Sequence, residues 1–303
     1  MKKTLTGIFV LSACLLLSSC FSAKKARIQE HLNQATVLEQ TETKTVEDTR
    51  QKVDDRLNSE VIDSEIADSI RYKINKYAAG LDSFKNAIRF ISDKINTSGG
   101  TYRRNKEKID SSFGLIDHYK SGVNYRLRRF TMINESLDVI VNQQHMFDLA
   151  AFFGPGKFEI PDDKKEVAEK TFSPLIDSLV KFYNKYADVE RKATLVILGY
   201  ADGSGFNLES DIFAALIAKL NDSTATKEKM NQQLSEWRAI SIGNLMEYSL
   251  GKKIPGYAEV KNIDFLFVEK GKGEEYPSKL VKDYRTEDER RRVVLLFWNI
   301  LPK

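Results

Sequence analysis

Two oppositely charged residues in the second half of the chain offer the clearest binding chemistry. Asp202 follows the β-branched apolar run 194–200, which is bounded by glycine and predicts a buried strand. Arg238 lies in the stretch 235–248, which predicts a helix. A guanidinium is a planar fork that can bind a carboxylate through two hydrogen bonds. If the fold brings the two side chains together, they would suit a ligand that carries both an ammonium and a carboxylate.

Four short patterns surround these residues. The first is Gly-x-x-Asp-Gly at the end of a predicted strand, and the second is Asn-x-x-Leu-Ser-x-x-Arg-Ala. The third is Gly-x-Gly-Glu before a proline, and the fourth is Arg-Arg-Val-x-Leu at the start of a predicted strand. The matching residues are Gly199, Asp202 and Gly203; Asn231, Leu234, Ser235, Arg238 and Ala239; Gly271, Gly273, Glu274 and Pro277; and Arg291, Arg292, Val293 and Leu295. In this order, over roughly the last half of the chain, they resemble the OmpA-like peptidoglycan-binding domain.

The resemblance implies a ligand, the diaminopimelate residue of the peptidoglycan stem peptide, with a free ammonium and a free carboxylate on one carbon. By the family pattern, Asp202 would bind the ammonium and Arg238 the carboxylate. Asn231 would orient the loop or touch the peptide. Arg291 or Arg292 would line the same pocket, and we expect at most one residue of the run 290–292 to touch the ligand.

The chain departs from the family pattern between Asp202 and Arg238, which lie 36 positions apart, well over the usual spacing. The excess falls at about 206–229. Within it an apolar stripe predicts an inserted helix beside the binding groove; its residues are Ile212, Phe213, Leu216, Ile217 and Leu220. The insertion could be a lid, a partner surface or decoration, and Trp237 could be a packing residue or a stacking platform.

The elements around these residues predict an α+β protein. From 146 to 303, strands and helices alternate, which favours an α/β sandwich with a mixed sheet. We expect strands at 158–160, 194–200, 260–268 and 292–298, and helices at 164–186, with Pro174 as a kink or break, and at 235–248.

The region 59–145 predicts antiparallel helices or a coiled coil. Isoleucines recur every four residues at Ile62, Ile66, Ile70 and Ile74, and the stripe continues within one helix to about 96. Two more helices are predicted at 103–119 and 123–142. Such stripes are core seams between helices, or a surface for a partner or for self-association. The preceding segment, 20–58, is polar and predicts a tether, partly helical.

The N-terminus resembles a lipoprotein signal. Two lysines precede a short apolar run, and the run ends in Leu17-Ser18-Ser19-Cys20, which is similar to a bacterial lipobox. Residues 1–19 would be removed and Cys20 lipidated. An ordinary secretory signal is the alternative. Phe21 stands where an aspartate would favour the inner membrane, so the resemblance implies anchoring in the outer membrane, facing the periplasm.

Composition offers little support for catalysis or for nucleic-acid binding. The 303 residues allow two modest units, and the formal net charge of +4 gives no argument for nucleic acid as a partner. The three histidines, His31, His118 and His145, have no metal-ligand spacing. We therefore expect no catalytic residue, metal or cofactor. The sequence favours a non-catalytic anchor between membrane and peptidoglycan. The alternatives are an envelope scaffold whose pocket no longer binds peptidoglycan and, more remotely, a wall-modifying enzyme.

Overall fold

The computed structural model describes residues 3–59, 62, 64–95, 104–141, 145–148, 153, 156–278 and 281–303. For 3–24, 65, 140–141 and 145–148 it describes the backbone only. Helices predominate, and the described residues also form one small mixed sheet, so the α+β class is confirmed. The chain divides into two compact units: Met1–Leu57 with Asp63–Thr131, and Asn58–Ile62 with Met132–Lys303.

The first unit consists of helices. They are α1 (Lys3–Asn58), α2 (Ser64–Ala78), α3 (Leu81–Ile95), α4 (Lys106–Ser121) and the start of α5 (Val123–Val141). The helix predicted to run to about 96 is interrupted at Gly80, which adopts φ 88°. That left-handed conformation suits glycine and ends α2, so the isoleucine stripe continues on a separate helix, α3.

The segment expected to be a tether, 20–58, lies within α1, and its described side chains form a buried stripe. The buried residues recur every three, four or seven positions: Leu32, Ala35, Glu42, Val46, Thr49 and Val53. This spacing places them on one face of the helix. The segment is therefore part of the packed helical unit. Two members of the stripe, Glu42 and Thr49, are polar, so the sequence does not show it as an apolar pattern.

The buried carboxylate of Glu42 connects α1 to α4 and α5. It is 2% exposed. The Tyr119 hydroxyl donates to its Oε2 at 2.5 Å, and Arg126 Nη2 donates to its Oε1 at 3.0 Å. The guanidinium carbon of Arg126 also lies 3.7 Å from the Tyr119 ring centroid, and that ring stacks on Phe84 at 4.4 Å. Burial and the adjacent Glu42 carboxylate raise the pKa of Tyr119, so its hydroxyl stays a donor at neutral pH.

Glu42→Gln should lower the free energy of unfolding by about 3 kcal/mol, because the partly buried Arg126 guanidinium loses its counter-charge. Glu47→Gln, an exposed glutamate on the same helix, is the matched control and should change it by under about 0.5 kcal/mol. Urea unfolding followed by far-ultraviolet circular dichroism measures both. Equal effects of the two substitutions would show that the buried ion pair does not stabilise the unit.

The second unit is built on a four-stranded sheet. Its strands are β1 (His145–Asp148), β2 (Arg191–Gly199), β3 (Phe265–Gly271) and β4 (Val293–Pro302). The order is β1-β4-β2-β3. β4 runs antiparallel to both neighbours, and β2 and β3 are parallel, with Gly199 opposite Gly271. The prediction of a strand at 158–160 is wrong: these residues lie outside the sheet, and β1 takes the edge position.

Helices α6 (Asp162–Lys185) and α8 (Lys227–Lys253) pack on one face of this sheet. α6 continues through Pro174. Alternate residues of β2 are buried against the helices: Ala193, Leu195 and Ile197. α7 (Asp211–Leu220) lies in the predicted insertion, and α9 (Tyr257–Asp264) occupies the start of the strand predicted at 260–268. The unit also begins earlier than the predicted 146, since Met132 of α5 lies in its core and Ser136 Oγ accepts from Ile300 N at 3.2 Å.

Candidate functional site

The site lies where β2 and β3 end against α8, and two glycines set this approach. A Cβ added at Gly199 would overlap the carbonyl oxygen of Ser235, and one at Gly271 would lie 2.6 Å from the Ser235 hydroxyl oxygen. That hydroxyl also accepts from Gly273 N at 2.8 Å. Because only glycine permits such contact, the loops that follow the two strands are held against the first half of α8.

Asp202 lies in the loop after β2, as predicted, and is 8% exposed. Ser204 N donates to its Oδ1 at 3.3 Å. On the other side, Arg292 Nε lies 3.0 Å from Asp202 Oδ2 in a close ion pair. Within the part of the chain that the structure describes, this Nε–H makes no hydrogen bond, so the pair is electrostatic and not aligned for donation. The loop itself is held by Gly203 N, which donates to Thr286 O at 2.6 Å.

Arg238 is a buried cation, 2% exposed. Its Nε donates to Lys157 O at 3.2 Å and its Nη1 to Tyr200 O at 3.4 Å. Among the described residues, no carboxylate lies within ion-pair distance of it. Burial lowers the pKa of Arg238 to about 10; the nearby Asp202 opposes this shift and Arg292 adds to it. The guanidinium therefore stays charged at neutral pH.

Asn231 is 1% exposed and lies between the two loops. Its Nδ2 donates to Glu274 Oε1 at 2.8 Å and to Ser204 O at 3.5 Å. Lys227, at the start of α8, donates to Gly203 O at 3.0 Å, and its Nζ lies 3.5 Å from Glu274 Oε1. Neither Glu274 nor Lys227 was predicted from the sequence to take part in the site. Glu274 stood inside one of the four patterns, whereas Lys227 had no distinguishing signal.

The three arginines before β4 lie in different environments. Arg292 faces Asp202. Arg291 is buried and donates to Thr286 O at 3.0 Å and also to Glu274 O, so it ties the two loops together. Arg290 is exposed, 3.2 Å from Asp283. Of the three, Arg292 is therefore the one placed to meet a ligand at Asp202, while Arg291 has a structural position.

Residues 156–160, the covering segment, contact the buried Arg238 through Lys157 O. Besides the hydrogen bond to Lys157 O, Phe158 packs on Trp237 with ring centroids 4.6 Å apart. At Gly156, with φ 69°, an added Cβ would lie 3.2 Å from the side chain of Ile212 on α7. Trp237 thus has a packing role here, and the inserted helix lies against the segment that covers Arg238.

The insertion has its own small apolar cluster. Leu216 of α7 is buried with Met230 and Leu234 of α8. Half-buried apolar residues pack against these three, among them Phe158, Phe206, Ile212, Phe213 and Trp237. The cluster extends from α7 to the covering segment, so the insertion is packed into the wall of the site.

This arrangement can bind ions of both signs. Arg292 pairs with Asp202, Lys227 lies beside Glu274, and Arg238 is buried nearby, so the cations exceed the carboxylates next to a low-dielectric interior. In the part of the chain that the structure describes, no cluster of three or more metal-ligating side chains occurs. The geometry suits binding of a charged ligand.

Comparison with known proteins adds no assignment: no family model matches this chain, and no curated protein matches it. A separate finding concerns membranes. None of the described helices combines the length and the apolar character needed to cross a bilayer.

Gly199→Ala should disrupt the site, because its methyl would overlap the backbone of α8 at Ser235. We expect a loss of about 1–3 kcal/mol in the free energy of unfolding. Gly205→Ala is the matched control, since nothing lies within 4 Å of a Cβ there, and should cost under about 0.5 kcal/mol. Thermal unfolding of both variants tests the contact; equal midpoints would disprove it.

Proposed function

We propose that this protein is a non-catalytic lipoprotein that binds the diaminopimelate stem peptide of peptidoglycan and so ties the outer membrane to the cell wall. The observation that carries the proposal is Arg238: a buried, charged guanidinium with no bound carboxylate in the described structure, beside the Asp202–Arg292 ion pair. Burying an unpaired charge is costly, so it favours a ligand that supplies the missing anion.

The ligand fits the site by charge. The ammonium of diaminopimelate would approach Asp202, whose ion pair with Arg292 is close but unaligned and leaves capacity on the carboxylate. The neighbouring carboxylate would take donors from Arg238, with Arg292 close by. A charge-assisted contact of this kind contributes about 1.5–3 kcal/mol. Asn231 would act through the loops, since its amide already donates to Glu274 and Ser204.

The four ordered patterns support the same ligand, because they resemble the OmpA-like domain and each contributes residues to one site. An α+β unit in which helices pack on a mixed sheet agrees with that resemblance. The lipobox-like run supports the second attachment, a lipid on Cys20. Two lipid chains or more would hold the protein firmly, at about 0.8 kcal/mol for each buried methylene.

One observation favours the alternative, an envelope scaffold whose pocket has lapsed. Arg238 is only 2% exposed, under the covering segment. Because Lys157 O of this segment occupies the Arg238 Nε–H, movement of the segment would give a ligand carboxylate access to the guanidinium. If the closed form were permanent, the buried arginine would serve the fold, and function would lie elsewhere in the chain.

Binding to purified sacculi separates the two proposals. The full chain should co-sediment with sacculi, and free diaminopimelate should compete. Arg238→Ala and Asp202→Ala should each lower affinity about 10- to 100-fold, as expected for loss of one charge-assisted contact of about 1.5–3 kcal/mol. Arg290→Ala, which removes an exposed arginine from the same run, should bind like the wild type.

Each result has one meaning. Equal binding by wild type, Arg238→Ala and Asp202→Ala, or no binding by any, would overturn the anchor proposal in favour of the scaffold. Circular dichroism of each variant confirms that a loss of binding is not a loss of folding. Release of soluble muropeptides from the sacculi during incubation would instead indicate an enzyme.

Phe158→Ala should increase affinity for the stem peptide. Removing the ring deletes the contact with Trp237, and an aromatic pair contributes about 0.5–1.5 kcal/mol. The closed form is therefore weakened, and the apparent dissociation constant should fall about two- to tenfold. Phe213→Ala, from the same apolar cluster but on α7, is the comparison and should change affinity less. Weaker binding by Phe158→Ala would show that the covering segment helps to form the site.

A further inference from the structure

An exposed aromatic ring lies on the loop that forms one wall of the site. Tyr276 is 60% exposed. Its ring is parallel to that of Tyr284, within 4°, at a centroid distance of 5.3 Å. The guanidinium carbon of the buried Arg291 lies 4.9 Å from the same ring. Despite these two contacts, most of the Tyr276 surface still meets solvent.

The contacts hold the ring in place. Arg291 is itself anchored, through its hydrogen bonds to Thr286 O and Glu274 O. A guanidinium and a second aromatic ring packed against a tyrosine each contribute about 0.5–1.5 kcal/mol. The exposed ring is therefore preorganised, which lowers the entropy cost of binding a ligand on it.

The ring is also close to the Asp202 site along the chain and in space. Two residues before it, Glu274 bonds to Asn231, and Gly273 O accepts from Ala201 N at 2.8 Å. Arg291, which contacts the Tyr276 ring, directly precedes the Arg292 that pairs with Asp202. One loop thus joins the charged site to the exposed ring.

The surroundings of the ring point to the kind of ligand. Its immediate neighbour Glu275 is exposed and carries an ion pair, 3.3 Å from Lys272 Nζ. An exposed aromatic ring with charged neighbours does not fit an apolar protein surface, which would leave these charges desolvated. It fits a pyranose ring with equatorial substituents, which presents C–H groups on its face and hydroxyl or amide groups at its edge.

We propose that Tyr276 is a stacking platform for a sugar ring of the glycan strand, adjoining the pocket for the stem peptide. The inference rests on the proposed function, since the stem peptide would bring its own sugar to this wall of the site. It adds a second class of ligand group: a saccharide face on Tyr276, with its polar edge toward Glu275 and Lys272. Arg291 is the positioning residue that holds the platform.

Two soluble probes test the platform: a disaccharide tetrapeptide that contains diaminopimelate, and the same tetrapeptide without sugar. Isothermal titration calorimetry with the full chain measures both. Tyr276→Ala should weaken binding of the disaccharide tetrapeptide about two- to tenfold, the range expected for one aromatic stacking contact. Binding of the free tetrapeptide should be unchanged. Tyr276→Phe keeps the ring and should bind both probes like the wild type.

Tyr248→Ala is the matched control, because Tyr248 is a comparably exposed tyrosine, 57%, on α8 under Lys252; both affinities should be unchanged. Equal loss for the two probes in Tyr276→Ala would overturn the platform and give the ring a role in loop structure. No loss for either probe would also overturn it, and would leave the proposed function intact. If the wild type binds neither probe, the proposed function fails and the platform fails with it.

Discussion

The close packing of α8 on the ends of β2 and β3 is the constraint on which the candidate site depends. Gly199 and Gly271 face each other in adjacent parallel strands, and both leave room for the helix backbone at Ser235. The Ser235 hydroxyl then bonds to the loop after β3. Since Arg238 lies one helical turn further along α8, the same contact brings its guanidinium to the loop that carries Asp202.

The chain buries charge in two different ways. Glu42 in the helical unit is satisfied by an arginine and a tyrosine, both within hydrogen-bonding distance, so its burial serves the fold. Among the described residues, Arg238 in the second unit bonds to two carbonyl oxygens, and Asp202 lies near it beyond ion-pair distance. A satisfied buried charge indicates structure, whereas an unsatisfied one indicates a missing ligand or a closed state. For Arg238, the choice between these two depends on whether the covering segment moves away from the guanidinium.

The insertion before Arg238 packs against the covering segment. Its helix α7 packs on α8 and against Gly156, so it contributes to the wall that closes over Arg238. The other wall, from Gly273 to Tyr276, is open at its outer end. The two walls thus differ in exposure, one closed over the charged group and one presenting an aromatic ring to solvent.

The residues by themselves predicted the parts of the protein that depend on local pattern. A β-branched apolar run bounded by glycine predicted β2, apolar stripes at helical spacing predicted α3, α5 and α7, and the ordered patterns singled out Asp202, Asn231 and Arg238. Local pattern could not give the strand order, the buried stripe of α1 with its two polar members, or the break at Gly80. Nor could it show that residues 158–160, predicted as a strand, lie outside the sheet, with Phe158 packed on Trp237 beside Arg238. The tertiary structure alone decided that Arg292, among three adjacent arginines, faces Asp202, and that Lys227 and Glu274 join the site. The physical reason is that identical side chains next to each other in sequence differ only in the direction of the backbone and in what packs around them, and both are set by contacts between residues far apart in the chain.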